Sequence, residues 1–249
     1  MVYGEFAKIY DKLIYEDINY DLIADRLKQI MKENNINKKD YLDLACGTGN
    51  VTEKMAGEFE NVYAVDLSED MLMQAYDKFQ EKDIKAQIIC QDMVELELGH
   101  EFDLITCMLD STNYILDEQD LKDYLQGVFN HLKDDGIFVF DINSYYKLSN
   151  ILGNNIYIHD DDENVFYSWE NVFEDEIVSM YLTFFVKDKN HYEKFQEEHH
   201  ERAYREEYIE NVLKDIGFSV LSKYDGYTSN SVSDKSERVL YVAKKNMEE

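Results

Sequence analysis

The stretch YLDLACGTGN, residues 41–50, decides how the rest of the chain reads. Its first residues suit a buried strand, Gly-Thr-Gly breaks that strand, and helix-forming sequence follows. The chain has ten glycines in 249 residues, and two of them, Gly47 and Gly49, fall at this one turn. Two missing side chains let a ligand lie against bare main chain. A helix starting near Asn50 aims its unpaired N–H groups at the same spot.

Working outward, residues 17–34 place Ile18, Ile23, Leu27, Ile30 and Met31 at helical spacing, which predicts an amphipathic helix. DYLDLAC (40–46) reads as a strand, residues 50–59 as a helix and NVYAVDL (61–67) as a second strand. Ser68 is a good N-cap for the helix EDMLMQAYDKFQEK. KAQIICQD (85–92), FDLITCML (102–109) and IFVFDIN (137–143) are three further strands, the last preceded by a helix over 118–133. Apolar strands alternating with helices predict a doubly wound α/β fold, its mostly parallel seven-stranded sheet covered on both faces. From about 155 to 202 the pattern changes to alternating β-formers. Turns near Glu174-Asp175 and Asp188–Asn190 predict three antiparallel strands. A helix ending at Gly217 and two strands, SVLSKYDGY and RVLYVAKK, close the chain. The expected organisation is a core of residues 1–145 and 203–249, with N-terminal helices within 1–35, interrupted by a β-rich insertion at 146–202.

Composition narrows the function. Forty-five per cent hydrophobic residues support a packed core. Twenty-five basic against fifty-three acidic residues give a net charge of −28, which repels polyanions and makes nucleic acid an unfavoured partner. There is no run of about 18 apolar residues and no basic-then-apolar N-terminus, so neither a membrane span nor a secretory signal is expected, and the location expected is cytoplasmic. Cys46, Cys90 and Cys107 are odd in number and widely spaced. They suit reduced, buried thiols and neither zinc nor a disulfide frame. No H-E-x-x-H or similar cluster implies a metal.

Two cofactor classes compete for the glycine turn. A dinucleotide fold wants G-x-G-x-x-G, but the third glycine position holds Thr52, and no Gly-Lys-Ser/Thr follows for a nucleotide-phosphate loop. DLACGTGN instead resembles the first motif of class I S-adenosylmethionine-dependent methyltransferases. The second strand ends in Asp66, where that superfamily holds the ribose hydroxyls, and the third in Asp92, which in the family faces the adenine amine. The resemblance covers about residues 36–143 and implies S-adenosyl-L-methionine as cofactor on a Rossmann-like methyltransferase sheet. A carboxylate such as Asp66 accepts both diol donors, and Asp92 supplies an acceptor for the amine. Leu67 and Met93 beside them could sandwich the base. Asp43 and the backbone after Ala45, through Cys46, Gly47 and Gly49, are candidates for the methionine end, and Met71 and Met108 complete the expected cofactor site.

The N-terminal FAKIYDKL is similar to a segment of glycine N-methyltransferase-like and aminosugar N,N-dimethyltransferase-like enzymes, in which an N-terminal tyrosine closes over the cofactor. Tyr3 and Tyr10 match loosely. CMLDSTNYI (107–115) follows the fourth strand, where the reactive methyl should lie, so Asp110, Ser111, Asn113 and Tyr114 join the candidates, with Asp141 and Asn143 on the same rim. The insertion adds Trp169 and, in EEHHERAYR (197–205), His200 and Arg202. On a strand, 200, 202 and 204 share one face and 199 the other. Either histidine, His199 or His200, could act as base or hold an anion, and Asp110 and His200 are the preferred candidate bases. Methyl transfer to a small molecule, at nitrogen, by a monomer or homodimer is the reading these features favour. An RNA-modifying methyltransferase and a non-catalytic partner-binding protein on the same fold are the rivals.

Overall fold

The computed structural model describes residues 18–160, 165–188 and 191–246. Tyr3 and Tyr10 lie outside the described residues. The first helix, α1 (Tyr20–Glu33), is capped by Asn19, whose side chain accepts from Leu22 N–H at 3.0 Å. Then come β1 (Asp40–Leu44), the short helix α2 (Asn50–Met55) and β2 (Asn61–Asp66). They lead into α3 (Glu69–Glu81), capped by Ser68 as expected, and β3 (Gln87–Cys90). After β4 (Phe102–Cys107) and α4 (Glu118–His131), β5 (Leu132–Asn143) begins directly after the helix, five residues earlier than the apolar run suggests.

The main sheet has seven strands in the order β10-β11-β5-β4-β1-β2-β3, with β10 (Phe218–Asp225) and β11 (Arg238–Lys245) closing the chain. Strands β1 to β5 run parallel, and β11 is antiparallel to both of its neighbours. The chain winds outward from β1 to β3 and returns to β4 on the other side of β1. That reversal opens a crevice at the carboxyl ends of β1 and β4, where open α/β sheets bind ligands. Alternating strand residues feed two cores. Leu42, Leu44 and Phe138 pack under α4 and α5 (Glu206–Ile216), while Tyr41, Leu104 and Val139 pack under α1.

At the opposite, amino-terminal ends of the strands, buried Asp40 accepts from Lys133 at 2.6 Å and from Asn61 at 2.8 Å, with the His100 ring at 3.0 Å. Lys133 also reaches Asp103 at 2.9 Å. Burial alone would raise the Asp40 carboxyl, but these bonds outweigh it and hold the group down at about 2.

The insertion forms a second sheet of four strands rather than three: β6 (Ile156–Asp160), β7 (Val165–Glu174), β8 (Ile177–Asp188) and β9 (His191–Arg202), all antiparallel and in chain order. The extra strand, β6, is a short edge, and its Ile156 and Ile158 are 63% and 69% exposed. It buries too little to carry an alternating in-and-out signal, which is why its sequence does not read as a strand. The β7–β8 turn is tight. Asp175 and Glu176 take φ of 49° and 61°, the left-handed pair that matches strand twist. One face of this sheet carries Val178, Met180, Leu182 and Phe184 and turns toward the crevice and the helical turn Lys147–Leu152. Of the cysteines, Cys107 is buried and Cys46 half-buried, but Cys90 is exposed at the end of edge strand β3, against expectation.

Candidate active site

A single cavity of about 830 Å³ runs from the glycine turn to the inner face of the second sheet. It lies in the upper part of the range for small-molecule sites, roughly 300–1,000 Å³.

At one end, the turn is tied to the neighbouring strand. Gly47 N–H donates to Asp66 Oδ2 at 2.7 Å, and Ser68 N–H donates to Oδ1 at 2.8 Å. Burial pushes the Asp66 carboxyl above its ordinary value despite those bonds. The Leu67 N–H also bonds this carboxylate, which lines the cavity and is the acceptor group a vicinal diol needs. Gly47 takes φ of 55°, and a Cβ there would meet no atom of the described residues within 4 Å, so its main chain is open to the cavity it lines. Gly49 differs. It is not among the lining residues, and a Cβ on it would lie 2.5 Å from the Phe79 ring. Gly49 therefore lets α3 pack on the turn and does not itself offer main chain to a ligand.

Asp43, 2% exposed, accepts from Thr52 Oγ1 at 2.5 Å and from Thr106 Oγ1 at 3.1 Å, and burial lifts its carboxyl to about 6. Thr52, which stands where a dinucleotide fold has its third glycine, is the donor that fixes this carboxylate. Asp92 Oδ1 accepts from Val94 N–H at 2.9 Å, and its other oxygen has no hydrogen-bond partner among the described residues. Leu67, apolar yet 66% exposed, and half-buried Met93 stand beside these carboxylates on the cavity wall. Ala45, Cys46, Met71 and Met108 line the same end.

The middle of the cavity is a charged knot. Asp141, fully buried on β5, accepts from Leu109 N–H at 2.9 Å, Asp110 N–H at 2.8 Å and the Tyr227 hydroxyl at 2.8 Å, and it is bonded by the Arg238 guanidinium. This holds Leu109 and Asp110 at φ of 60° and 58°, two consecutive side-chain-bearing residues in left-handed geometry. Arg238 also pairs with Asp110 at 2.6 Å. Asp110 thus reaches the cavity already paired with Arg238.

The far end lies under the second sheet. Asn143 Nδ2 donates to Glu201 Oε2 at 2.7 Å, and Lys147 Nζ donates to Asn143 Oδ1 at 2.9 Å. Asn113 is buried and off the wall. It donates to the Asn143 and Arg202 carbonyls at 3.1 and 2.9 Å, stitching β5 to β9. The Tyr114 hydroxyl lies 3.4 Å from His199 Nδ1, and both residues line the cavity. Trp169, the chain's one tryptophan, also lines it, with its Nε1 buried and without a hydrogen-bond partner among the described residues.

Two sequence-derived candidates face elsewhere. His200 bonds Ser179 at 2.9 Å and pairs with Glu198 at 3.2 Å on the outer face. Arg202 donates to the Leu116 carbonyl at 2.7 Å and pairs with Glu118 at 2.8 Å. The register places His199 opposite Met180 and Glu201 opposite Val178, so the odd-numbered residues of β9 face the cavity. Burial and the nearby His200 pull the His199 ring down to about 4, leaving it neutral. Lys147, Glu201, Tyr227 and Arg238 are cavity residues the sequence reading did not single out, whereas His199 was weighed there beside His200. No group of three or more His, Cys, Asp or Glu placed to hold a metal occurs among the described residues.

Residues 42–136 match a family model described as a methyltransferase domain. Over 251 residues the chain is 35% identical to a protein of Geobacillus sp. (strain WCH70) that bears a methyltransferase name, covering 98% of this chain and 100% of that one. It also superposes on the crystal structure of a S-adenosylmethionine-dependent methyltransferase from Clostridium acetobutylicum ATCC 824, with a TM-score of 0.93, 52% identity and coverage of 97% and 98%. The chain belongs to the S-adenosylmethionine-dependent methyltransferases. A Streptomyces fradiae relative is named dTDP-3-amino-3,6-dideoxy-alpha-D-glucopyranose N,N-dimethyltransferase. It is 29% identical over 140 residues, 55% of this chain and 53% of that one. The methyltransferase's turn fits its cofactor: the cavity-lining carboxylate of Asp66, the second oxygen of Asp92 and the side-chain-free main chain at Gly47 are the groups a ribose, an adenine amine and a close-lying ligand require. No helix among the described residues is long and apolar enough to cross a membrane.

Proposed function

We propose that this methyltransferase methylates a nitrogen of a small molecule held between the cofactor turn and the second sheet, the insertion 146–202 acting as the substrate lid on a core formed by 1–145 and 203–249. The observation that carries this reading is the continuity of the cavity. Carboxylates suited to a nucleoside line one end, and the aromatic and acidic inner face of the lid, with Tyr167, Trp169 and Glu201, lines the other. The name of the Streptomyces fradiae relative points to the same class of acceptor.

The cofactor supplies an electrophilic methyl on a sulfonium. Asp66, Asp92, Leu67 and Met93 would hold its nucleoside, and Asp43 with the main chain from Ala45 to Gly47 its methionine end. The remaining work is positioning, which can lower a barrier by about 7–11 kcal/mol when two reactants are held in line. Asp141 and Arg238 fix the Leu109–Asp110 turn beside the lid, and Trp169 and Tyr167 exclude water from the acceptor's end. The net charge of −28 fits a cationic acceptor better than RNA; the cytoplasm, as monomer or homodimer, is the setting that goes with this reading.

The test is transfer of labelled methyl from S-adenosylmethionine to a panel of amino acids, nucleotide-linked aminosugars and transfer RNA, with the methylated atom located by NMR. A methylated amine supports the reading. Label appearing only in RNA, or only on oxygen, would replace it.

A further inference from the structure

The lid's last strand places one group where neither candidate base stands. Glu201 is 3% exposed, faces the cavity and has one oxygen fixed: Asn143 Nδ2 donates to Oε2 at 2.7 Å. Asn143 cannot turn round, because Lys147 donates to its Oδ1 and its own main-chain N–H is held by Asn113 Oδ1 at 2.9 Å. The other oxygen, Oε1, has no hydrogen-bond partner among the described residues. A buried carboxyl held by one oxygen from behind, with the other unclaimed, is built to receive something.

We propose that Glu201 is the catalytic base of this methyltransferase, accepting at Oε1 a proton from the ammonium form of the acceptor. The proposal rests on the reading of the acceptor as an amine. In the step, an N–H bond of the ammonium breaks and an O–H bond forms on Glu201, leaving the lone pair on nitrogen. That nitrogen then bonds the methyl carbon as the carbon–sulfur bond of the cofactor breaks, its electron pair staying on sulfur. The product leaves as the N-methyl ammonium, and Glu201 returns its proton to solvent.

The surroundings support this assignment. Burial and the nearby Asp110 carboxylate push the Glu201 carboxyl up to about 8, while Asn143, Lys147 and Arg238 pull the other way. A base works best when its affinity for protons lies near the working pH. His199, two residues away on the same face, is too weak a base at about 4, and Asp110 is committed to Arg238.

Glu201→Gln keeps an acceptor for Asn143 and removes the base. The test begins with the variant's melting temperature, expected to be no lower than wild type's because the substitution removes a buried carboxyl, and its affinity for S-adenosylhomocysteine, expected to match wild type. Carbon-13 NMR of the glutamate carboxyls in the S-adenosylhomocysteine-bound protein should show one group titrating near 8, absent from the variant. On an amine acceptor, the variant should lose about 10²–10⁴ in rate at neutral pH and recover as the pH approaches the amine's own pKa. A Glu201 carboxyl titrating in the ordinary glutamate range, or a variant with the wild-type rate and pH profile on an amine, overturns the proposal and leaves nitrogen methylation standing. If wild type methylates oxygen acceptors and no amine, the nitrogen reading itself falls and takes the base with it.

Discussion

Replacing Gly47 and Gly49 by alanine, one at a time, should separate two roles that share one turn. Both glycines are left-handed, with φ of 55° and 78°, so each alanine costs about 1–2 kcal/mol of backbone strain. Gly49→Ala adds a collision, because its Cβ would lie 2.5 Å and 2.7 Å from two atoms of the Phe79 ring and 3.3 Å from Ala75. Phe79 is 2% exposed and cannot swing away cheaply, so overpacking adds about 1–3 kcal/mol. The total, about 2–5 kcal/mol, corresponds to a melting temperature lower by roughly 4–20 °C in a protein of this size. Gly47→Ala meets nothing within 4 Å and should cost only the strain, but its methyl projects beside the cofactor's expected path and should weaken S-adenosylhomocysteine binding. Scanning calorimetry and isothermal titration on both variants read the two effects. The assignment is refuted if Gly49→Ala keeps its stability, or if Gly47→Ala binds as wild type does.

Other substitutions test other parts. Asp40 has its carboxyl depressed from 3.8 to about 2, so its contribution is present above about 4 and is lost as the pH falls through 2. Asp40→Asn should cost about 2 kcal/mol at neutral pH by urea unfolding, a difference that closes in acid. Arg238→Ala leaves Asp110 and Asp141 without their cation and should destabilise by about 3–5 kcal/mol in the same assay. His200→Ala, on the outer face, should change stability by no more than about 0.5 kcal/mol and leave methyl transfer unchanged, whereas a large rate loss would return that residue to the site.

The alternation of strands and helices from Asp40 to Asn143 was legible because each strand is a continuous apolar run bounded by turn residues. The end of the cavity at the glycine turn was legible because it is local, with Gly47, Asp66 and Asp92 each next to the end of a strand. The lid end depends on which side of a strand faces inward, a property of two sheets together. That parity was nonetheless present in the sequence. In β8, Val178, Met180, Leu182 and Phe184 alternate with Ser179, Tyr181 and Thr183, and a turn after Asp188 places 180 opposite 199. Carrying the alternation across that turn selects His199 and Glu201 and rejects His200 and Arg202. Leu22, off the apolar stripe of α1 and on the cavity wall, was a similar signal. The Asp141–Arg238 knot had none, since its partners lie 97 residues apart.

The most direct test is calorimetric titration of S-adenosylmethionine and S-adenosylhomocysteine into wild type and Asp66→Ala. Two charge-assisted hydrogen bonds to the ribose diol, each worth about 1.5–3 kcal/mol, predict micromolar binding by wild type and a loss of at least about 100-fold in the variant. Equal affinity in the two proteins, or no binding by wild type, would contradict the placement of the cofactor on which the whole account stands.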